Sequence, residues 1–202
     1  MICDDYGRPT LNLRISLTQK CNLRCPYCHR EGETGIASSR KEMTTDEVVH
    51  IARIAIGLGI SRVKLTGGEP LLRSDILDIV RGIAGLRGLR DLSMTTNGTL
   101  LAPLANALRK NGLKRLNVNI PTLNAETYRE LTGGNLKDVL GGIRAAVEAE
   151  LYPVKLNMLV LRGVNEKDVG RMFQFAEHSG TILQLIELEP INVSQEYYGQ
   201  YH

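Results

Sequence analysis

Hydrophobic and polar residues alternate with a period of two in short segments of this chain, and segments with a helical period separate them. The predicted strands are Leu11–Leu17, Arg62–Thr66, Asp91–Thr95, Arg115–Ile120, Val154–Leu161 and Ile182–Leu188. The predicted helices lie near Thr45–Leu58, Asp75–Leu86, Leu101–Asn111, Leu136–Glu150 and Glu166–Ser179. This alternation of strands and helices predicts right-handed βαβ units and a parallel sheet, either doubly wound or closed into part of a barrel.

The first five predicted strands each have one apolar and one polar face. In the first, Leu13 and Ile15 share one face and Arg14 lies on the other. Parallel strands covered on both faces are normally apolar throughout, and polar faces in a dry core would cost roughly 1–3 kcal/mol per unpaired group. A sheet with one face in solvent is the alternative, but helical connections would normally cover that face. The pattern favours an α/β fold: a partial (β/α)6 TIM-like barrel with parallel strands and a polar interior. The sixth strand fits less well, because Ile186 falls in phase with Gln184.

Composition narrows the class of protein. The chain has 202 residues, of which 43% are hydrophobic, and we expect one core domain over residues 1–202. The net charge is +3 and the basic residues are scattered, which argues against a nucleic-acid partner. The N-terminal residues show no signal peptide, and no apolar stretch is long enough to span a bilayer. We therefore expect a cytoplasmic protein with no membrane partner.

Three cysteines fall within eight residues, at Cys21, Cys25 and Cys28. Three thiolates so close together can hold one soft metal centre, and they are one ligand short of a closed tetrahedral set. A 4Fe–4S cluster held in this way keeps one iron open for a small molecule. Zinc with His29 as the fourth ligand is the alternative, but zinc sites usually combine two short-spaced pairs, and no second pair follows. Cys3 is expected to be an ordinary terminal thiol.

The cysteine spacing, with Tyr27 just before the third cysteine, resembles the radical S-adenosylmethionine enzymes. Other stretches narrow the resemblance to the GTP 3′,8-cyclases of molybdenum-cofactor biosynthesis, the molybdenum-cofactor biosynthesis protein A family, and within it to the archaeal branch. The similarity extends from about Tyr6 to the last residue. Those stretches are Leu11–Cys21, Cys28–Gly32, Gly67–Pro70, Thr95–Gly98 and Asn117–Asn119.

The resemblance implies a 4Fe–4S cluster and S-adenosyl-L-methionine as cofactors. The cluster delivers one electron, and the cofactor breaks into methionine and a 5′-deoxyadenosyl radical. In the family this radical takes the ribose 3′ hydrogen of GTP, and the product is (8S)-3′,8-cyclo-7,8-dihydroguanosine 5′-triphosphate. GTP is the implied substrate and a one-electron donor protein the implied partner, and a homodimer is compatible with the resemblance.

Residue by residue, the resemblance assigns the metal ligands to the three clustered cysteines. It assigns cofactor contacts to Tyr27, Gly68 and Asn119, although packing under the loop is an equal alternative for Tyr27. It assigns GTP contacts to the inward-facing residues Arg14, Lys64, Thr95 and Lys155. Three cations and a hydroxyl converging from four strands suit a triphosphate, whereas each cation alone would more often be an ion-paired surface residue.

The sequence departs from the family pattern at several positions. Asn119 stands where many relatives have a cofactor-contacting serine, while Gln184 and Glu189 replace an arginine and a methionine. No cysteine follows Cys28, although the family carries three more for a second cluster that anchors guanine. We interpret the chain as a fragment that cleaves S-adenosylmethionine without cyclising GTP. The alternatives are a shortened relative, a radical enzyme acting on a different substrate, and a zinc-bound structural or regulatory module.

Overall fold

The computed structural model describes residues 2–28, 41–190 and 193–202. Six parallel strands form one open sheet in the order β1-β2-β3-β4-β5-β6, so each strand pairs with its neighbours in sequence. The strands are β1 (Asn12–Ser16), β2 (Arg62–Thr66), β3 (Asp91–Thr96), β4 (Arg115–Asn119), β5 (Val154–Leu159) and β6 (Ile182–Ile186). The predicted partial barrel of parallel strands is confirmed.

Helices connect successive strands, and one more helix follows the last strand. They are α1 (Thr45–Gly57), α2 (Ile76–Ala84), α3 (Ala105–Lys110), α4 (Ala125–Thr132), α5 (Leu136–Glu148), α6 (Val169–His178) and α7 (Gln195–Tyr201). Short 3-10 turns occur at Pro70–Leu72 and Glu166–Asp168. The sequence predicts five of the seven α-helices and misses α4 and α7.

The start of α1 shows how local sequence determines a helix boundary. The Thr44 side chain accepts a hydrogen bond from the Glu47 backbone N–H at 3.3 Å, and the Glu47 carboxylate accepts one from the Thr44 N–H at 2.7 Å. This reciprocal capping box satisfies two N–H groups that have no partner within the helix. The predicted start of α1 at Thr45 is confirmed.

The third helix is shorter than predicted. Residues 102–104 form a turn, and α3 begins only at Ala105. Pro103 accounts for the difference, because a proline disfavours helical dihedral angles in the residue before it. The predicted helix Leu101–Asn111 therefore loses its first turn.

One hydrophobic core lies between the sheet and the helices. The apolar faces of the strands are buried there, together with the inward stripes of α1, α2, α3, α5 and α6. Core residues on the strands include Val63, Leu65, Leu92, Met94, Leu116, Val118, Val154, Leu156 and Met158, all of them completely buried. With the apolar faces packed on helices, the opposite faces of the strands are free to line a cavity, as their polar residues predict.

Candidate active site

The polar faces of the strands enclose a cavity of about 410 Å³. Its walls come from residues 21–28, called here the cysteine loop, from all six strands and from the turns that follow them. The lining residues are Arg14, Cys21, Leu23, Cys25, Tyr27, Cys28, Lys64, Thr66, Gly67, Gly68, Thr95, Thr96, Asn97, Asn117, Asn119, Ile120, Pro121, Thr132, Asn157, Leu159, Gln184 and Ile186. All but one of the residues assigned from the sequence meet here. The exception is Lys155, which is not among the lining residues.

The cysteine loop brings Cys21, Cys25 and Cys28 to one end of this cavity. A tight turn closes the loop, with the Cys28 N–H donating to the Cys25 carbonyl at 3.1 Å. A second bond, from the Arg24 N–H to the Thr132 carbonyl at 2.9 Å, attaches the loop to the end of α4. The thiols are therefore held by backbone bonds to the barrel and face its interior.

Two glycines after β2 bring the chain against the segment that leads into the cysteine loop. The Gly68 N–H donates to the Thr18 carbonyl and the Glu69 N–H to the Lys20 carbonyl, both at 2.7 Å. A Cβ added to Gly68 would lie 2.7 Å from the carbonyl oxygen of Gln19 and closer still to that of Lys20. The resemblance assigns Gly68 to a cofactor contact. The structure shows that this glycine closely approaches protein backbone, and this contact positions the cysteine loop.

The buried carboxylate of Glu69 has a structural role that the sequence does not reveal. It is completely buried and accepts hydrogen bonds from the Leu71 N–H at 3.0 Å, the Thr96 hydroxyl at 2.7 Å and the Asn97 N–H at 2.7 Å. Burial raises the pKa of this carboxyl group, while the three hydrogen bonds oppose the rise. Glu69 therefore ties the turn after β2 to the end of β3.

Asn97 continues this connection to the first cysteine and was also missed as a site residue. Its Nδ2 donates to Asn22 Oδ1 at 2.8 Å and lies 3.8 Å from Cys21 Sγ, and its Oδ1 accepts from the Thr99 N–H at 3.0 Å. Its place in the Thr95–Gly98 stretch, directly after a strand, was the signal that could have identified it.

The thiols have the chemistry of metal ligands. Burial raises the pKa of the Cys25 thiol to about 11 and also raises the pKa of Cys21. Because only a thiolate binds metal strongly, these groups need a metal centre to supply the positive charge that favours ionisation. Within residues 2–28, 41–190 and 193–202, no three Cys, His, Asp or Glu side chains are grouped around a single-ion site. Three cysteine thiols of one loop that line the same cavity are the donor set that an iron–sulfur cluster takes. His29, the fourth ligand of the zinc alternative, lies outside the described residues.

Positive charge gathers at the other end of the cavity. Arg14 and Lys64 are paired in register on β1 and β2, and both line the cavity, as does Thr95 on β3. Burial lowers the pKa of Lys64, and the nearby charges of Arg115, Arg14 and Lys155 lower it further. We call Arg14, Lys64, Arg115 and Lys155 the cation cluster. Lys155 thus lies within electrostatic reach of the predicted substrate site.

The cation cluster is short of counterions. Arg115 forms a two-pronged ion pair with Asp91, at 2.7 and 3.0 Å. Arg14, Lys64 and Lys155 form no ion pair within the part of the chain that the structure describes. Like charges converging at a partly buried site repel one another and favour a bound anion.

Tyr27 packs within the protein, as one of its two interpretations from sequence has it, and its contact with the cofactor stays a prediction. It lines the cavity, and it also packs into a small hydrophobic cluster with Leu161, Leu188 and the tyrosines of α7. Burial raises the pKa of its phenol, so the side chain is neutral.

Two residues near β6 depart from the family pattern. Gln184 lines the cavity, whereas Glu189 is exposed and is not a lining residue.

No helix in the described part of the chain is long and apolar enough to cross a membrane.

Solved structures share the fold. Streptococcus suis SuiB bound to S-adenosylmethionine matches with a TM-score of 0.76 at 17% identity, over 95% of this chain and 43% of SuiB. The hydrogenase maturase HydG matches with a TM-score of 0.72 at 19% identity, over 95% of this chain and 47% of HydG. At these identities the likeness concerns the fold alone.

Sequence comparison is more specific. The Radical SAM superfamily model matches residues 15–176. A probable GTP 3′,8-cyclase of Thermococcus kodakarensis is 53% identical over 94% of this chain and 60% of its own length, and one of Methanothermobacter thermautotrophicus is 48% identical over 92% and 60%. One of Archaeoglobus fulgidus is 47% identical over 98% and 67%. The chain thus spans about 60% of the length of the first two. The expected 4Fe–4S cluster and S-adenosylmethionine are confirmed as the cofactors of the matched family. The chain belongs to the radical SAM superfamily, in the branch whose relatives carry the name GTP 3′,8-cyclase.

Proposed function

We propose that this chain is the radical-generating core of an enzyme that converts GTP to (8S)-3′,8-cyclo-7,8-dihydroguanosine 5′-triphosphate in molybdenum-cofactor biosynthesis. The observation that carries the proposal is the polarity of the cavity. Three thiols lie at one end, and a group of cations with one counterion lies at the other. A redox cofactor and a polyanionic nucleotide can therefore occupy the same cavity from opposite ends.

At the thiol end, Cys21, Cys25 and Cys28 are the proposed ligands of a 4Fe–4S cluster. When bound, the cluster supplies the electron that cleaves S-adenosylmethionine to methionine and a 5′-deoxyadenosyl radical. The chain's own contribution is position: Tyr27 and Gly68 form the wall beside the thiols and are proposed to contact the cofactor.

Farther along the same wall, Asn119 presents a polar side chain to the cavity and is the third proposed cofactor contact. It accepts a hydrogen bond from Asn157 Nδ2 at 3.1 Å, so its own amide hydrogens point elsewhere and can reach a ligand. An amide can replace the serine hydroxyl of other relatives as a hydrogen-bonding group.

At the cationic end, Arg14, Lys64, Thr95 and Lys155 are the proposed contacts of the GTP triphosphate. Charge-assisted hydrogen bonds are worth about 1.5–3 kcal/mol each from partly buried cations such as Lys64 and Lys155, and less from an exposed one such as Arg14, and together they favour a triphosphate. Holding the phosphates there fixes the ribose between the cations and the cofactor. Catalysis depends on this placement, because hydrogen transfer requires the reacting atoms to be held close together.

Several features of the whole protein are also proposals. We propose that residues 1–202 form one core domain, that the protein is cytoplasmic, and that a one-electron donor protein reduces it. The family region with a second set of three cysteines is proposed to anchor guanine, and a homodimer is compatible with this arrangement.

The test compares two proteins under anaerobic conditions. One is the 202-residue chain. The other carries, in addition, the C-terminal segment that the Thermococcus kodakarensis relative has beyond the matched region. Both are reconstituted with iron and sulfide and assayed for 5′-deoxyadenosine and for cyclised GTP. We expect slow, uncoupled cleavage from the first and coupled cyclisation from the second. Cleavage by both proteins without any dependence on GTP would indicate a radical enzyme with a different substrate.

A further inference from the structure

Asn117 is buried in the wall of the cavity and belongs to a short ladder of amides. It is 5% exposed. Its Nδ2 donates to Asn157 Oδ1 at 3.4 Å, and Asn157 Nδ2 donates to Asn119 Oδ1 at 3.1 Å. Asn117 donates towards the carboxyl end of the sheet, and Asn157 donates sideways to Asn119, its register partner on β4. With Asn157 oriented to donate to Asn119, turning the Asn117 amide over would place its oxygen against the oxygen of Asn157, so the ladder sets the orientation of Asn117 relative to its neighbours.

This orientation of its amide leaves the Asn117 carbonyl oxygen without a partner. In the described part of the chain, Asn117 Oδ1 and the Tyr128 hydroxyl are the two buried side-chain atoms that make no hydrogen bond. Of these two residues, Asn117 lines the cavity and Tyr128 does not. An unpaired buried acceptor is costly, and most buried polar groups in proteins have a partner. A ligand in the cavity that donates a hydrogen bond would remove this cost.

Strand register shows which part of a ligand Asn117 faces. Asn117 lies level with Thr95 on β3 and with Lys155 on β5. On β4 it stands one inward position beyond Arg115, which belongs to the cation cluster, and one inward position before Asn119. It therefore lies on the cofactor side of the cation cluster, level with Lys155 and one inward position before the proposed cofactor contact.

We propose that Asn117 Oδ1 accepts a hydrogen bond from a ribose hydroxyl of the nucleotide substrate and so positions the sugar. The inference rests on the proposed function, which places phosphates at the cations and the radical-forming cofactor beside the cysteines. The reacting sugar then lies on the cofactor side of the phosphates, next to Asn117, which presents an acceptor between the cations and Asn119. A neutral hydroxyl is a suitable donor for a buried amide oxygen, and the pair brings no charge into the site.

The test removes each partner in turn and compares the effects. Anaerobic calorimetry measures the dissociation constants of GTP, 2′-deoxy-GTP and 3′-deoxy-GTP for the reconstituted wild-type chain and for Asn117→Leu. In the wild type we expect one deoxy analogue to bind about tenfold more weakly than GTP. In Asn117→Leu we expect GTP itself to bind about tenfold more weakly, and the difference between GTP and that analogue to disappear. Coupling of this kind identifies a direct contact, whereas a merely structural effect weakens all three nucleotides equally.

Two further variants serve as controls. Asn117→Asp keeps the acceptor oxygen, so the preference for the hydroxyl should return whatever the added charge does to overall affinity. Ser93→Ala changes another buried polar residue, which bonds to the Val63 carbonyl at 3.5 Å and is not a lining residue, and should leave all three constants unchanged. If circular dichroism shows that Asn117→Leu does not fold, Asn117→Ala provides the same comparison between the dissociation constants of GTP and its deoxy analogues.

The inference is overturned if the hydroxyl preference persists in Asn117→Leu, or if the wild type shows none while binding GTP; the proposed function survives both results. It is also overturned if Asn117→Leu weakens S-adenosylmethionine and leaves the nucleotide constants unchanged, since the hydroxyl would then be the cofactor's. If neither the 202-residue chain nor the protein extended with the C-terminal segment binds any guanine nucleotide, the proposed substrate itself is contradicted, and the inference with it.

Discussion

The two ends of the cavity are built from different parts of the chain and carry opposite chemistry. Loops form the cysteine end, where burial keeps thiols neutral until a metal centre arrives. Strands form the cationic end, where side chains from β1, β2, β4 and β5 bring like charges together. The position of the thiols at the cysteine end depends on close backbone packing, and the position of the charges at the cationic end depends on strand register. In the free protein, burial opposes ionisation of the thiols at one end and like charges repel one another at the other. A bound metal centre and a bound anion would remove these two costs.

The largest effect should follow from removing a thiol at the cysteine end. Replacing Cys21, Cys25 or Cys28 by alanine leaves two cluster ligands, so we expect iron content to fall and cleavage of S-adenosylmethionine to be abolished. Cys3→Ala is the matched control, since Cys3 is exposed and is not a lining residue, and it should retain both properties. Iron analysis and chromatography of 5′-deoxyadenosine provide the measurements. Loss of the cluster in Cys3→Ala would show that the ligand assignment is wrong.

The next effect concerns the backbone packing that positions the same loop. Gly68→Ala would force a Cβ against the Gln19 and Lys20 carbonyls, which cannot move without shifting the cysteine loop. We expect destabilisation by about 1–3 kcal/mol and loss of most cluster assembly.

Gly141→Ala on α5 is the control for this prediction, because no atom lies within 4 Å of the added Cβ. Alanine favours the helix by up to about 1 kcal/mol relative to glycine, so this variant should be slightly more stable. Denaturant unfolding and iron analysis compare the two. Equal iron binding by Gly68→Ala and the wild type would contradict the packing argument.

The metal-free thiol at Cys25 gives a prediction about pH. Its pKa is raised from 9.0 to about 11, so at pH 8 its thiolate fraction should be about 100-fold smaller than in the unfolded chain. Alkylation of Cys25 in the folded, metal-free protein should be slower by about that factor. The unfolded chain ionises first, so this thiol favours the folded state below pH 9, and that contribution is lost as the pH rises through about 11. Mass spectrometry of iodoacetamide-treated protein tests this, and equal rates in buffer and denaturant at pH 8 would refute it.

A smaller effect should follow from removing one charge at the cationic end. Lys64→Met should weaken GTP binding about tenfold, because it removes a charge-assisted hydrogen bond. It should also stabilise the free chain, since burial and neighbouring cations lower the pKa of Lys64 below 10.5. The unfolded state then binds more protons, so the stability of the wild type rises with pH through that interval, and the variant should lose this dependence.

Lys110→Met, at an exposed position in the last turn of α3, is the control and should change neither nucleotide affinity nor the pH dependence. Calorimetry with GTP and thermal unfolding across the alkaline range make the comparison. A Lys64→Met variant that binds GTP as tightly as the wild type would show that this lysine does not contact the nucleotide.

Strand positions could be predicted from sequence because period-two alternation is strong where one face is buried and the other lines a cavity. The bounds of β2 are as predicted, and those of the other strands differ by one or two residues at an end. Two helices escaped prediction for physical reasons. In α4 only Tyr128 and Leu131 provide a buried apolar stripe, too short for a period to be recognised. In α7 no residue is buried, so it has no apolar stripe of the usual kind.

The site was predictable where chemistry follows from residue type and spacing, as for the cysteines, and where it follows from strand phase, as for Arg14 and Lys64. It was not predictable where a side chain's role depends on what it meets in space. Glu69 resembles a site residue in sequence, yet it is buried and tied to the end of β3. The unpaired oxygen of Asn117 likewise emerges only from the pairing of β4 with β5.

The central claim is that the cysteine end holds a 4Fe–4S cluster with an open site for S-adenosylmethionine. Anaerobic reconstitution of the 202-residue chain, followed by iron and sulfide analysis and by spectroscopy with and without S-adenosylmethionine, tests it most directly. We expect about four irons per chain and a change in the spectrum of the reduced cluster when S-adenosylmethionine is added. One tightly bound zinc ion per chain, with no uptake of iron, would contradict it.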